Sequence, residues 1–253
     1  MELGWLFASP IAHRGLHDAA SGTVENSASA AWAAIERGFG IECDVQRTAD
    51  GEAVVFHDFT LDRLTGETGP VADRTLAQLR HIRLLGGPDA VPSLVDFLGL
   101  IGGRAPLTIE IKSRFDGDMR LADRVAEIVV GHGGPLALKS FDPQIVARLR
   151  AHPGLGHVPC GIVAQARYEG GTWTALSEEA RHALAHMLHF ADSRPDFLSY
   201  HVADLPHAAP NLLRTGLGLP VMAWTVRNQQ AARHGRRWAD QIVFEGFDPA
   251  CAG

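Results

Sequence analysis

Four short stretches put ionisable residues where neighbouring positions are apolar: His13-Arg14-Gly15, Glu42 and Asp44, His57-Asp58, and Glu110 with Lys112. Glu42 and Asp44 are two apart within Ile41-Glu42-Cys43-Asp44-Val45, and Glu110 and Lys112 are two apart after Ile109. If those runs are strands, a spacing of two points each pair to one face. Three converging carboxylates, Glu42, Asp44 and Glu110, would make a hard oxygen site suited to one divalent cation, Mg²⁺ or Ca²⁺, with Mn²⁺ also admissible. Salt bridges to Arg14 and Lys112 are the bland account of any one of these acids. For all three together that account weakens, because paired acids inside apolar strands are costly unless compensated. Histidine ordinarily titrates near neutral pH, so His13 and His57 at neighbouring strand ends are what phosphoryl transfer by general acid and general base requires. Arg14 can grip a phosphate oxygen in fork geometry, and Lys112 adds a second positive charge.

These residues need a scaffold that brings strand ends together. Short runs rich in Val, Ile and Leu alternate with segments of helical period, the mark of a parallel sheet covered by helices. Nine strands are expected, at 10–13, 40–45, 53–57, 107–111, 136–139, 157–163, 197–200, 220–226 and 241–244. Asp50-Gly51 marks the third as the antiparallel return of a hairpin. With Asp50 and Gly51 as the two central turn residues, Asp44 falls directly opposite His57. Eight parallel strands remain, and 253 residues is the usual size of a (β/α)8 TIM barrel, whose active-site side chains come from the C-terminal ends of its strands. Helices are expected at 26–37, 75–83, 94–101, 118–130, 143–150, 177–190, 208–215 and 228–235, and the polar, glycine-containing stretch 59–91 reads as a small cap inserted beside the mouth of a single domain.

The quoted residues occur in the order seen in glycerophosphodiester phosphodiesterases, which this sequence resembles over nearly its whole length. The pattern comprises His13-Arg14-Gly15, Glu25-Asn26, Ile41 to Val45, Asp50-Gly51, Val54 to Asp58, Leu61-Asp62-Arg63, Val91 to Leu94, Ile109 to Lys112, Ser140-Phe141 and Trp224 to Val226. Its specific part lies in the first 112 residues. The resemblance implies a divalent ion on Glu42, Asp44 and Glu110, His13 and His57 as the acid–base pair, a cap from Asp62 to about Val91, and Trp224 against the substrate. It further implies hydrolysis of a small-molecule glycerophosphodiester to sn-glycerol 3-phosphate and an alcohol. The last strand departs from the family, which usually finishes in Thr-Asp where this chain reads Phe244-Glu245-Gly246. One rival is a related phospholipase-type enzyme acting on a lysophospholipid or phosphoinositide, against which the lack of a membrane-docking stretch counts. The other is a non-catalytic binding barrel, which should have lost at least one of the acids or histidines.

A formal charge of −6 and a pI near 6.1 argue against a surface that collects nucleic acid or anionic lipid. No apolar run approaches a membrane span, the N-terminus lacks a basic leader, and a cytoplasmic protein is expected. Cys43, Cys160 and Cys251 form neither a disulfide framework nor a metal-knuckle spacing. His182, His186 and His189 recur at helical spacing without the glutamate of a zinc protease motif, and a solvent-side face is expected for them.

Overall fold

A computed structural model describes residues 3–249. Its strands are β1 (Ile11–Ala12), β2 (Gly40–Arg47), β3 (Ala53–Val55), β4 (Leu107–Ile111), β5 (Leu136–Ser140), β6 (Cys160–Ala164), β7 (Phe197–His201), β8 (Val221–Val226) and β9 (Gln241–Phe244). Because β1 pairs in parallel with both β2 and β9, the parallel strands β1, β2 and β4 to β9 close into an eight-stranded barrel. The antiparallel β3 hangs outside that ring on β2. The helices are α1 (Ala28–Glu36), α2 (Leu76–Leu79), α3 (Leu94–Ile101), α4 (Arg120–Val129), α5 (Pro143–Arg150), α6 (Glu178–Ala185), α7 (Phe190–Ser193), α8 (Ala208–Leu217) and α9 (Gln229–Trp238). Polar N-caps set several of their starts: Ser27, Ser93, Asp142 and Asn228 each accept a hydrogen bond from a backbone N–H of the first turn. Among the described residues, no helix is long and apolar enough to cross a membrane.

Strand alternation sorts the side chains into two sets. Ile41, Cys43 and Val45 of β2, Leu107, Ile109 and Ile111 of β4, and Leu136 and Leu138 of β5 belong to the large outer core that the helices cover. The alternate residues face the barrel lumen. Near the N-terminal ends they are apolar: Ile11, Ala137, Phe197, Met222 and Val243 pack together, and Leu6 closes that end. Gly161 leaves the room that the Phe197 ring needs, since a Cβ there would lie 2.2 Å from it. Nearer the C-terminal ends the same parity places His13, Glu42, Asp44, Glu110, Lys139 and Trp224, so the floor of the lumen is greasy and its upper part is charged.

The hairpin differs from the sequence expectation by one residue. Val45 pairs with Val55, which puts Asp44 opposite Phe56 and not opposite His57. The loop has three residues, not two: Thr48 N–H donates to Glu52, Gly51 N–H donates to Thr48, and Gly51 adopts φ 84°, which favours glycine. Asp50 holds this loop by accepting from the Thr48 hydroxyl at 2.6 Å and from Leu76 N–H at 3.0 Å. The slip puts Val54 and Phe56 on the lumen side, where they seed a second apolar cluster with Leu61, Val71, Leu79, Leu84 and Val91 from the 59–91 stretch. That stretch holds a turn of 3-10 helix at Val71–Asp73 and one turn of α-helix, α2, in place of the longer helix expected at 75–83. The helix expected at 177–190 is two pieces, α6 and α7, separated near Met187, which has φ 55°. β3 ends at Val55, and β6 starts at Cys160, after a turn of 3-10 helix at Pro153–Leu155. Cys43 and Cys160 are buried free thiols, while Cys251 lies outside the described residues.

Candidate active site

The carboxylates Glu42, Asp44 and Glu110 are buried, and each offers an oxygen within 4.8 Å of those of the other two. In-register pairing explains the convergence: Asp44 stands beside Glu110, and Glu110 beside Lys139, on adjacent strands, with Glu42 one lumen-facing residue deeper. Each acid is held. Asp44 Oδ2 accepts from the Asn26 amide at 3.0 Å, while Asn26 Oδ1 accepts from Asp44 N–H at 3.1 Å. Asn26 sits at φ 56°, a left-handed conformation that asparagine tolerates better than most residues. Asp44 Oδ1 and Glu110 Oε1 clasp Lys112 Nζ at 2.7 and 2.5 Å. Glu42 Oε2 accepts from Arg14 N–H at 3.0 Å.

Burial raises a carboxyl pKa, and here the neighbouring cations outweigh it. Burial opposes ionisation of Asp44, yet Lys112, His57 and Arg14 hold it well below the ordinary carboxylate range. Glu110, against the same burial, is brought down to about 2 by Lys112 and Lys139. In return Asp44 and Glu110 keep Lys112 charged in spite of its burial. Glu42 Oε1 is ion-paired with Lys139 Nζ at 3.0 Å without hydrogen-bond geometry. Three anionic oxygen donors, with no thiol or imidazole among them, fit a hard divalent cation.

Both sequence-expected histidines sit at this end of the barrel, and each gives Nδ1 to a carboxylate. His13, at the end of β1, has Nδ1 2.5 Å from Glu245 Oε2. His57, just after β3, has Nδ1 2.7 Å from Asp58 Oδ1, and its carbonyl accepts from Gln46 at 2.9 Å. Arg63 from the 59–91 stretch grips both Asp58 and Glu25, with Nε 2.6 Å from Asp58 Oδ2 and Nη2 2.8 Å from Glu25 Oε1. Glu25 also accepts from Arg14 Nη1 at 2.7 Å, so one chain of ion pairs runs from the β1 loop to His57. Trp224 donates its indole N–H to Ser199 O at 3.0 Å and stands edge-on to Phe141, 5.4 Å between centroids. Phe141 and Trp173 line a cavity of about 550 Å³ shared with His57, Glu110, Lys112 and Phe115.

Two participants escaped the sequence reading. Lys139, 2% exposed, contacts Glu42 and Glu110; its signal was a lone lysine closing the apolar run Leu136-Ala137-Leu138. Glu245, known from sequence only as a departure from Thr-Asp, is the partner of His13 and also accepts from Arg227 Nε at 2.6 Å. Burial opposes ionisation of Glu245, yet the hydrogen bond with His13, with His17 Nε2 3.7 Å away and Arg227 beside it, holds its carboxyl far below the usual range. The His182 and His186 rings lie 4.3 Å apart and tilted by 48° on and beside α6, and belong to no three-residue metal cluster among the described residues.

A (β/α)8 barrel with three buried acids, two carboxylate-bound histidines and a clasped lysine at its C-terminal end defines a class of barrel equipped for hard-cation and proton-transfer chemistry. The chain belongs to the Glycerophosphoryl diester phosphodiesterase family, whose pattern it matches over residues 13–245. It is 40% identical over 113 residues to a glycerophosphodiester phosphodiesterase of Caldanaerobacter subterraneus, a match covering 41% of this chain and 44% of that relative's length. YhdW of Bacillus subtilis is 28% identical over 237 residues, covering 88% of this chain and 87% of that one. The barrel also matches the solved structure of an Oleispira antarctica phosphodiesterase in complex with its product sn-glycerol-3-phosphate: TM-score 0.76, 20% identity, 96% of this chain and 94% of that chain.

Proposed function

We propose that this protein is a metal-dependent glycerophosphodiester phosphodiesterase that releases sn-glycerol 3-phosphate and an alcohol. The observation that carries the reading is the pairing of two histidines, each bound through Nδ1 to a carboxylate, beside three buried acids that fit a hard cation. With Nδ1 engaged on both rings, Nε2 is the nitrogen left to exchange a proton with substrate. One histidine takes the proton of the attacking hydroxyl, that of water or of the glycerol C2. The other delivers a proton to the departing alkoxide as the P–O bond breaks. Arg14 and Lys112 set positive charge beside the phosphate, and Glu245 and Asp58 hold the two rings in orientation. Glu42, Asp44 and Glu110 would hold Mg²⁺, Ca²⁺ or Mn²⁺, which when bound supplies Lewis-acid polarisation of the phosphodiester.

The aromatic side of the cavity, Phe115, Phe141 and Trp173, favours a second reading in which the substrate carries an apolar chain, as a lysophospholipid does on its glycerol. Assays for glycerol 3-phosphate from the small diesters, and for the free head-group alcohol or lysophosphatidic acid from the lysophospholipids, separate the two. The panel holds small glycerophosphodiesters and lysophospholipids, with a chelator and then with each divalent ion restored. Release from the small diesters only, dependent on the ion, supports the first reading. Absence of release from every member with every ion would sink the proposal.

A further inference from the structure

Lys139 is the buried charge to which the hydrolytic reading gives no task. Its ammonium lies 3.0 Å from Glu42 Oε1 and 3.2 Å from Glu110 Oε2. Its side chain is 3% exposed, against 14% for Lys112, and Lys112 lines the cavity while Lys139 does not. Which oxygens it touches matters. Glu42 Oε2 is already engaged by Arg14 N–H, and Glu110 Oε1 by Lys112. Lys139 therefore rests on the remaining oxygen of each of these two acids. The third acid, Asp44, has Oδ1 on Lys112 and Oδ2 on Asn26. Formal charge points the same way: Lys112 and Lys139 offset two of the three carboxylates and Arg14, shared with Glu25, offsets part of the third, so an incoming divalent ion meets a cluster already largely neutralised.

We infer that Lys139 is a resident counter-ion of the three carboxylates, competing with the divalent ion for Glu42 Oε1 and Glu110 Oε2 and thereby setting how weakly this chain binds its metal. The inference rests on the metal-dependent reading above. The affinity of oxygen-donor sites is tuned by ligand charge count, and Lys139 cancels one ligand charge while it occupies one oxygen of each of two ligands. Its removal should free two oxygens and leave the cluster more negative by one unit charge. Affinity for the ion should then rise and metal-free stability fall, because the acids lose a counter-ion that offsets their burial.

The test is calorimetric titration of Mg²⁺ and of Ca²⁺ into the chelator-treated full chain, for the parent, Lys139→Met and Lys139→Gln, with thermal melts of each with and without the ion. Glutamine keeps a hydrogen-bond donor and serves if the methionine variant does not fold. The expected result is an affinity at least about tenfold tighter in either variant than in the parent, from removing one unit charge beside a divalent ion. A melting temperature lowered without the ion and largely restored with it should accompany this. Binding by the variants where the parent binds only weakly also supports competition. Variant affinity equal to or weaker than the parent's overturns the inference while leaving the metal-dependent reading standing. Absence of binding by parent and variants alike, into the millimolar range, overturns both.

Discussion

Replacing Glu245 by glutamine should cut turnover without unfolding the barrel. Glu245 Oε2 lies 2.5 Å from His13 Nδ1, and both side chains are mostly buried, 18% and 10% exposed. If His13 carries a proton in the transition state, the carboxylate is a unit charge about 4 Å from the centre of the imidazolium. At an effective dielectric of about 20 that is worth roughly 4 kcal/mol. Arg227 shares the same carboxylate through Oε1 at 2.6 Å and draws off part of that field, so about 2–3 kcal/mol remains. This corresponds to about a 30- to 150-fold loss in kcat. Glutamine can also donate its amide proton to Nδ1, which forces the imidazole proton onto Nε2 and disables the ring as a base; the loss is then larger. Steady-state kinetics on a glycerophosphodiester with saturating divalent ion gives kcat and KM, and a thermal melt checks the fold. The expected pattern is a fall in kcat with KM nearly unchanged, and partial recovery in Glu245→Asp. A folded Glu245→Gln protein within threefold of the parent kcat would refute the claim that this carboxylate positions His13.

Three further outcomes are expected. Glu42→Gln, Asp44→Asn and Glu110→Gln should each weaken binding of the divalent ion in a calorimetric titration while the fold persists; a variant that binds as tightly as the parent removes its residue from the ligand set. His13→Ala and His57→Ala should each lower turnover by about 10²–10⁴-fold, with the double variant losing much less than the product. On a nitrophenyl phosphodiester, whose leaving group needs little protonation, the histidine acting as acid should matter far less than the base, and equal small losses on both substrates would mark the pair as structural. In acid the fold should weaken in a defined window. Asp58, lowered to about 2 against its burial by Arg63 and His57, and Glu110, also at about 2, contribute stability that is fully present above the ordinary carboxylate pKa near 4 and is lost as pH falls toward 2. Asp58, paired with an exposed Arg63 and so screened by solvent, accounts for about 1 kcal/mol of this, and a melting temperature unchanged between pH 6 and pH 3 would count against these ion pairs.

What the sequence disclosed of this site follows from the period of two. Glu42 with Asp44, and Glu110 with Lys112, advertise a common face because two charged residues share one strand and one parity. Lys139 and Glu245 obey the same parity, following Ala137 and Val243, but each stands alone at its strand end and looks like an ordinary solvated terminus. Their roles depend on which strand lies beside which: β5 beside β4, and β9 beside β1 across the closure of the barrel. The hairpin register failed for a similar reason. Asp-Gly suits a two-residue or a three-residue loop, and the choice is made with Leu76, far along the chain, whose N–H binds Asp50. His57 still reaches the mouth of the barrel, because the chain turns after Phe56 and Gln46 and Asp58 hold it there.

Three carboxylates cannot be stacked in a barrel lumen above a floor of Phe197, Met222 and Val243 unless cations accompany them. The chain supplies Arg14, Lys112 and Lys139, and these cations stand on different sides of the acids. Lys112 lines the cavity, so its pairing with Asp44 and Glu110 lies at the edge of an open space. Arg14 is tied outward to Glu25, and through Glu25 and Arg63 to Asp58 and His57, so its charge is shared with the frame that orients a histidine. Lys139 has neither outlet. Enclosed between Glu42 and Glu110, it can be relieved only by another cation reaching the same oxygens. Stability without the ion and affinity for the ion are therefore opposed properties of one side chain, so they must move in opposite directions when that side chain is changed.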